Sequence, residues 1–167
     1  MNDSVDGDRS DGGKRTDDEN ATSTPLEEVI HARGHEHVSA EHASTFEIST
    51  DDFLTPAGDC ILAIEADRAP ADFDPEFVEA CRNSEATITV ALETDGHRDV
   101  VQGRGDPDLE FSSDRSAVGR TSEYVDERTI MLGAEHAAEG FDRELVAALA
   151  DGADVIVTIT VSRGGSE

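Results

Sequence analysis

A large part of this chain reads as one pattern written twice, and few folds accommodate that. Glu28-Val29-Ile30-His31-Ala32-Arg33-Gly34-His35 returns 71 positions later as Asp99-Val100-Val101-Gln102-Gly103-Arg104-Gly105-Asp106. Ser49 to Leu54 matches Arg120 to Val125 at the same offset, and Cys60 to Glu65 matches Ile130 to Glu135 at an offset of 70. Phe73 to Val78 matches Phe141 to Val146 at 68, and the β-rich runs Ala86 to Leu92 and Val155 to Val161 match at 69. Blocks in one order with small changes of spacing point to an internal duplication, copy one at 28–92 and copy two at 99–161. Neither copy, at 65 residues or fewer, buries much core alone, so the two are expected to share one core about an approximate two-fold.

Local chemistry supplies the expected elements. Val29 to Arg33 has strand character, and Val38, Ala40, Ser44, Phe46 and Ile48 fall on one face of a period-two pattern that includes His42. Thr50 ahead of Asp51 and Asp52 suits a short helical turn. Cys60 to Ile64 is an apolar run of strand length, and Asp74-Pro75-Glu76 places a cap before a proline that opens a helix. Thr87 to Leu92 alternates as a closing strand, and the Gly96-centred turn separates the copies. Copy two repeats this plan, with a helix after Asp142 stopped at Asp151-Gly152 and a last strand from Val155. The expected class is α+β, a twice-used strand-strand-helix-strand-helix-strand unit forming a mostly antiparallel sheet or an incomplete barrel. Residues 1–24, acidic and almost without large apolar side chains, read as a disordered tail ahead of one duplicated domain at 25–163.

The chain has 39 acidic residues against 13 basic ones, a formal charge of −26, and Lys14 is its one lysine. Acids spread over every segment fit adaptation to concentrated intracellular salt better than a partner-specific patch. Cys60 and Cys81 lack metal or redox spacing and are expected to be reduced thiols of a cytoplasmic protein. No stretch has the length of a membrane-spanning helix, and the N-terminus lacks a signal-peptide pattern. There is no Gly-x-Ser-x-Gly elbow, P-loop or dinucleotide fingerprint. With seven aromatic residues, no tryptophan and no basic stripe, a nucleic-acid surface is disfavoured against a small ligand or ion.

The residues that could carry chemistry are few. His35 and His37, two apart, could face one cation, and they correspond to Asp106 and Asp108 in the second copy. Were the two loops to meet, two imidazoles and two carboxylates would suit a divalent transition metal. The alternative is a pair of turns. Arg33 and Arg104, each before a glycine, could clamp an oxyanion or pair with local acids. His42 and Glu47 are candidates for acid–base work, His42 also reading as a core histidine bonded to a group such as Thr45.

Glu28 to His35, with Thr45-Phe46-Glu47-Ile48, Leu54-Thr55 and Gly58-Asp59-Cys60, resembles the archaeal domain of unknown function DUF371. The resemblance implies an archaeal, specifically haloarchaeal, protein and brings no reaction with it. Where the family's second copy often has Gly-His-Pro-Asp, this chain has Gly105-Asp106-Pro107-Asp108, so a histidine role at that spot does not carry over. The leading expectation is a small metal- or anion-binding module with its site between the copies. A metal-dependent hydrolase and a non-catalytic protein-interaction domain are the alternatives.

Overall fold

The computed structural model describes residues 26–163. The expected tail at 1–24 lies outside the described residues. Two four-stranded sheets and two α-helices make up an α+β fold. In chain order the strands are β1 (Leu26–Arg33), β2 (Thr45–Ser49), β3 (Ile61–Ala63), β4 (Thr87–Thr94), β5 (His97–Arg104), β6 (Ser116–Arg120), β7 (Thr129–Met131) and β8 (Asp154–Ser162). Helix α1 (Pro75–Cys81) lies between β3 and β4, and α2 (Arg143–Ala150) between β7 and β8. A single 3-10 turn precedes each helix, at Pro70–Asp72 and Ala138–Gly140.

The first sheet runs β1-β8-β4-β5 with every pair antiparallel. The second runs β3-β2-β6-β7, antiparallel at β2–β6 and parallel at its two outer pairs. Neither sheet closes into a barrel. Strands from the two parts of the chain therefore alternate in the middle of each sheet, β4 beside β8 and β2 beside β6.

Each element has a local cause. Asp95 and Gly96, both at positive φ (50° and 83°), form the two-residue turn of the β4–β5 hairpin. Asp74 caps α1 by accepting the Glu76 amide, with Pro75 at the first helical position. Asp142 caps α2 by accepting the amides of Glu144 and Leu145, and Gly152 follows its end at φ 87°. On β8, Val155, Val157, Ile159 and Val161 point inward in strict alternation. They join Phe46 and Ile48 of β2, Phe77 of α1 and Leu145 and Leu149 of α2 in one continuous core.

Two expectations are corrected. Thr50 to Leu54 is not helical: Thr50 donates to the Arg115 carbonyl, and the Asp51 carbonyl is taken by Glu65 across the loop. Those long-range bonds hold the segment as an irregular loop with a bend at Asp52, and the stretch 121–125 has no helix either. Each half of the chain therefore runs strand, strand, strand, helix, strand. The period-two pattern from Val38 yields a strand only from Thr45. Residues 34–44 are turns because Ala40 sits at φ 50° and the Glu41 and His42 amides both donate to the Asp59 carbonyl.

Phe46 opposes Gly119 across β2–β6, and a Cβ on that glycine would lie 2.3 Å from the Phe46 ring. Gly119→Ala is expected to cost about 1–3 kcal/mol by overpacking, read as a lower midpoint in urea or guanidinium unfolding.

Candidate functional site

The repeated Arg-Gly loops do not converge. Arg33 pairs with Asp154 at one end of β8, whereas Arg104 pairs with Thr87, which opposes Ser162 at the other end. β1 and β5 are also opposite edges of the sheet. At about 3.4 Å per residue and about 4.8 Å per strand, the loops stand about 30 Å apart. His35 and His37 thus share no ion with Asp106 and Asp108, because the antiparallel order puts the two loops at diagonal corners.

Each loop instead closes a helix from the other part of the chain. The Gly34 and His35 amides donate to the carbonyls of Ala153 and Leu149 at the end of α2. The Asp106 amide donates to the carbonyl of Cys81, the last residue of α1, and the Gly105 amide to that of Ala86, just before β4. The bonds to Leu149 and Cys81 satisfy carbonyls that a helix terminus leaves open. Within each loop the leading side chain accepts the amide two residues on: His35 Nδ1 from His37 at 3.0 Å, and Asp106 Oδ2 from Asp108 at 2.9 Å. Imidazole and carboxylate present an acceptor at a similar reach in the two loops. The His35 and His37 rings lie 5.1 Å apart, centroid to centroid.

The two arginines are engaged by acids. Arg33 pairs with Glu65 at 3.1 Å, and hydrogen bonding to that carboxylate raises the guanidinium pKa. Arg104 meets Asp106 at 3.4 Å and Glu123 at 3.3 Å. His42 is half-buried and off any strand; its Nδ1 accepts from the Thr45 amide at 3.1 Å and the Ser44 amide at 3.2 Å and lies 3.1 Å from the Thr45 hydroxyl. Among the described residues, His97, Asp142 and Glu144 alone bring three metal-capable side chains within 4.8 Å. There Asp142 is already committed as the α2 cap, at the positive end of that helix.

Glu47 has a different setting. It faces outward on β2, opposite Val118 of β6, and lines a cleft of about 260 Å3 on the outer side of the second sheet. Phe53, Leu54 and Ile61 provide apolar wall, and Asp51, Arg115 and Arg128 provide charge. Arg115 holds Asp51 through two nitrogens, Nε at 3.0 Å and Nη2 at 2.8 Å, keeping that carboxyl below its ordinary pKa. Arg128 holds Asp126 in the same two-nitrogen manner, at 3.3 and 3.0 Å. Both arginines also border an adjoining open depression with Ser112, Ser113 and Glu127.

Asp126 anchors this side. Burial alone would raise its pKa, but hydrogen bonds from Arg128 and Thr129 and the charge of Arg120 outweigh it and hold the carboxyl at about 2. Arg120, 8 % exposed, also donates from Nε to the Thr129 hydroxyl and lies 4.8 Å from the Tyr124 ring centroid. Next to the cleft, though not lining it, the Cys60 thiol donates to Glu47 Oε1 at 3.4 Å. Burial and the Glu47 charge push that thiol up to about 11, so it stays protonated near neutrality and is no nucleophile there.

Sequence reasoning reached Glu47 but missed Asp51, Arg115 and Arg128. The available signal was local: Arg115, Arg120 and Arg128 crowd into fourteen residues of a chain with few cations.

This geometry defines an α+β domain of two interleaved sheets whose cleft draws residues from both parts of the chain. Residues 30–162 match the family described as Domain of unknown function (DUF371), and the chain belongs to that family. It is 40% identical over 136 residues to an uncharacterised protein of Methanocaldococcus jannaschii, covering 81% of this chain and all of that relative. Family and relative alike carry no assigned function. No helix among the described residues is long and apolar enough to cross a membrane.

Two outcomes test these electrostatics. The depressed Asp126 value contributes stability that is present above about pH 4 and lost as pH falls towards 2, roughly 1–2 kcal/mol after solvent screening. Asp126→Asn is expected to remove that part of the acid dependence, read from denaturant midpoints across this window. Glu47→Gln removes a charge that disfavours the thiolate, so the pH midpoint for alkylation of Cys60 is expected to fall, with Cys81 buried as the slow internal reference.

Proposed function

We propose that this protein is a small-ligand-binding module whose site is the Glu47 cleft, and that it takes a small organic anion. The observation that carries the reading is the pair Arg115 and Arg128, both braced by carboxylates and both lining one cleft opposite an apolar wall. Bracing fixes the guanidinium planes and lowers the entropy lost when a carboxylate or phosphate docks. Phe53, Leu54 and Ile61 would cover the ligand's apolar part, and Glu47 would accept a hydrogen bond from it. A volume near the small end of ligand sites favours a compact molecule. The protonated Cys60 favours binding over nucleophilic catalysis, and a hydrolase sharing one metal among His35, His37 and Asp106 is set aside by their separation.

We also read the chain as an internal duplication, one domain over 25–163 with copies at 28–92 and 99–161. In support, Ala40 and Phe111 sit at φ 50° and 51°, 71 positions apart, and Glu65 and Gly133 at φ 56° and 59°, 68 apart, which moves this block from the offset of 70 read in the sequence to 68. Arg33 bridges Ile64 as Arg104 bridges Leu132. The cleft then lies beside the axis between the copies. Evenly spread acidity fits a cytoplasm rich in salt.

Isothermal titration or amide NMR with inorganic phosphate and small carboxylates tests the reading. Arg128→Ala and Arg115→Ala are each expected to weaken anion binding about tenfold, the loss of one charged hydrogen-bonding partner, while Arg33→Ala leaves it unchanged. No binding at millimolar anion, or equal binding by all three variants, overturns it.

A further inference from the structure

The first sheet is partly covered along both edges and open on one face. On β1, Ile64 exchanges two backbone hydrogen bonds with Arg33, the Asp67 amide donates to the His31 carbonyl, and Arg68 donates to the Val29 carbonyl. On β5, Leu132 exchanges the equivalent pair with Arg104, and the Glu135 amide donates to the Gln102 carbonyl. These contacts cover Val29, His31 and Arg33 on β1 and Gln102 and Arg104 on β5, which shortens the edge that each strand offers to another. The inner face is core. The outer face carries the row Val29–Thr158–Ala91–Val100, read straight across the four strands. The next row holds Thr160, Thr89 and Gln102, with Glu27 at its β1 end. Ile156, one row the other way, is 41% exposed. Several charges around these rows are paired, Arg33 with Glu65, Arg98 with Glu93 and Arg104 with Asp106, while Glu27 and Asp154 mark opposite ends of the face.

We propose that this face is the docking surface for a second copy of the same chain, packed sheet against sheet about a two-fold axis. Charge selects the occupant. Each copy carries −26, so two copies repel wherever their carboxylates would meet. An isologous contact sets like against like, and burying unpaired carboxylates together is costly. The uncharged centre of this face is where that cost is absent. A basic partner would be drawn to the acidic surfaces instead, and nucleic acid would be repelled by them. Threonine, valine and alanine side chains are short enough for close sheet-on-sheet packing at about 10 Å. Four strands of this length cover about 500 Å2 per copy, roughly 1,000 Å2 in total, which marks a weak, concentration-dependent dimer.

Sedimentation equilibrium of the full chain tests this, from about 10 µM to about 1 mM protein, the range of a weak dimer, at about 0.2 M and about 2 M KCl. The expected result is a shift from one chain mass towards two with concentration, and a smaller dissociation constant at the higher salt, where screening removes the repulsion. Thr158→Glu, beside Ala91 at the middle of the face, is expected to raise the dissociation constant at least tenfold. Thr89→Glu serves as an independent second variant, both being checked for wild-type circular dichroism. Thr55→Glu, on the cleft side, is expected to leave association unchanged. A single chain mass throughout overturns the proposal and leaves the face to another protein or to residues outside 26–163. A dimer that persists unchanged in both face variants overturns it as well.

Discussion

Backbone hydrogen bonds that each half of the chain leaves open, and only the other half can close, hold this fold together. β4 lies in the first half of the chain but takes β8 as a neighbour through seven residue pairs, and β8 takes β1 on its other side. The second sheet is joined in the same way through β2 and β6. Helix ends follow suit, the 34–35 loop sealing α2 and the 105–106 loop sealing α1. A buried amide or carbonyl without a partner costs more than a hydrogen bond returns. Either half alone would therefore expose two sheet edges and a helix terminus, besides losing half its core.

What the sequence made legible follows from how local each signal is. The Asp95-Gly96 turn, the Asp74 and Asp142 caps and the alternation of β8 are decided by neighbours within a few residues, and they appear as expected. The segments 34–44 and 50–54 are decided by distant partners, Asp59 for one and Arg115 and Glu65 for the other, and short-range reasoning misplaced both. The candidate site failed for a related reason. Arg33 and Arg104, and His35 and Asp106, drew notice because they recur, and recurrence here marks positions that the architecture needs twice.

The cleft shows the converse. Glu47 stands across from Val118, an aliphatic residue 71 positions on, and Cys60, whose carbonyl accepts the Glu47 amide, corresponds to Arg128, whose carbonyl accepts the Val118 amide. Ser44 matches Arg115. A similar backbone plan in both halves of the chain, with different side chains around the cleft, separates two demands on the chain. Matching residues keep the sheets and helix ends in order, and the unmatched ones, braced by Asp51 and Asp126, are where the surface acquires individual chemistry.

The position of β8 has a further consequence for synthesis. It is the last strand in chain order among the described residues, yet it occupies the interior of the first sheet between β1 and β4. While it is still inside the ribosome, β1 and the β4–β5 hairpin cannot join, and each shows an unpaired edge with valine and isoleucine beside it. The sheet is completed only once β8 has emerged. In the interval the nascent chain is kept from its neighbours by its abundant carboxylates, so the acidity that burdens the folded surface protects the unfinished one.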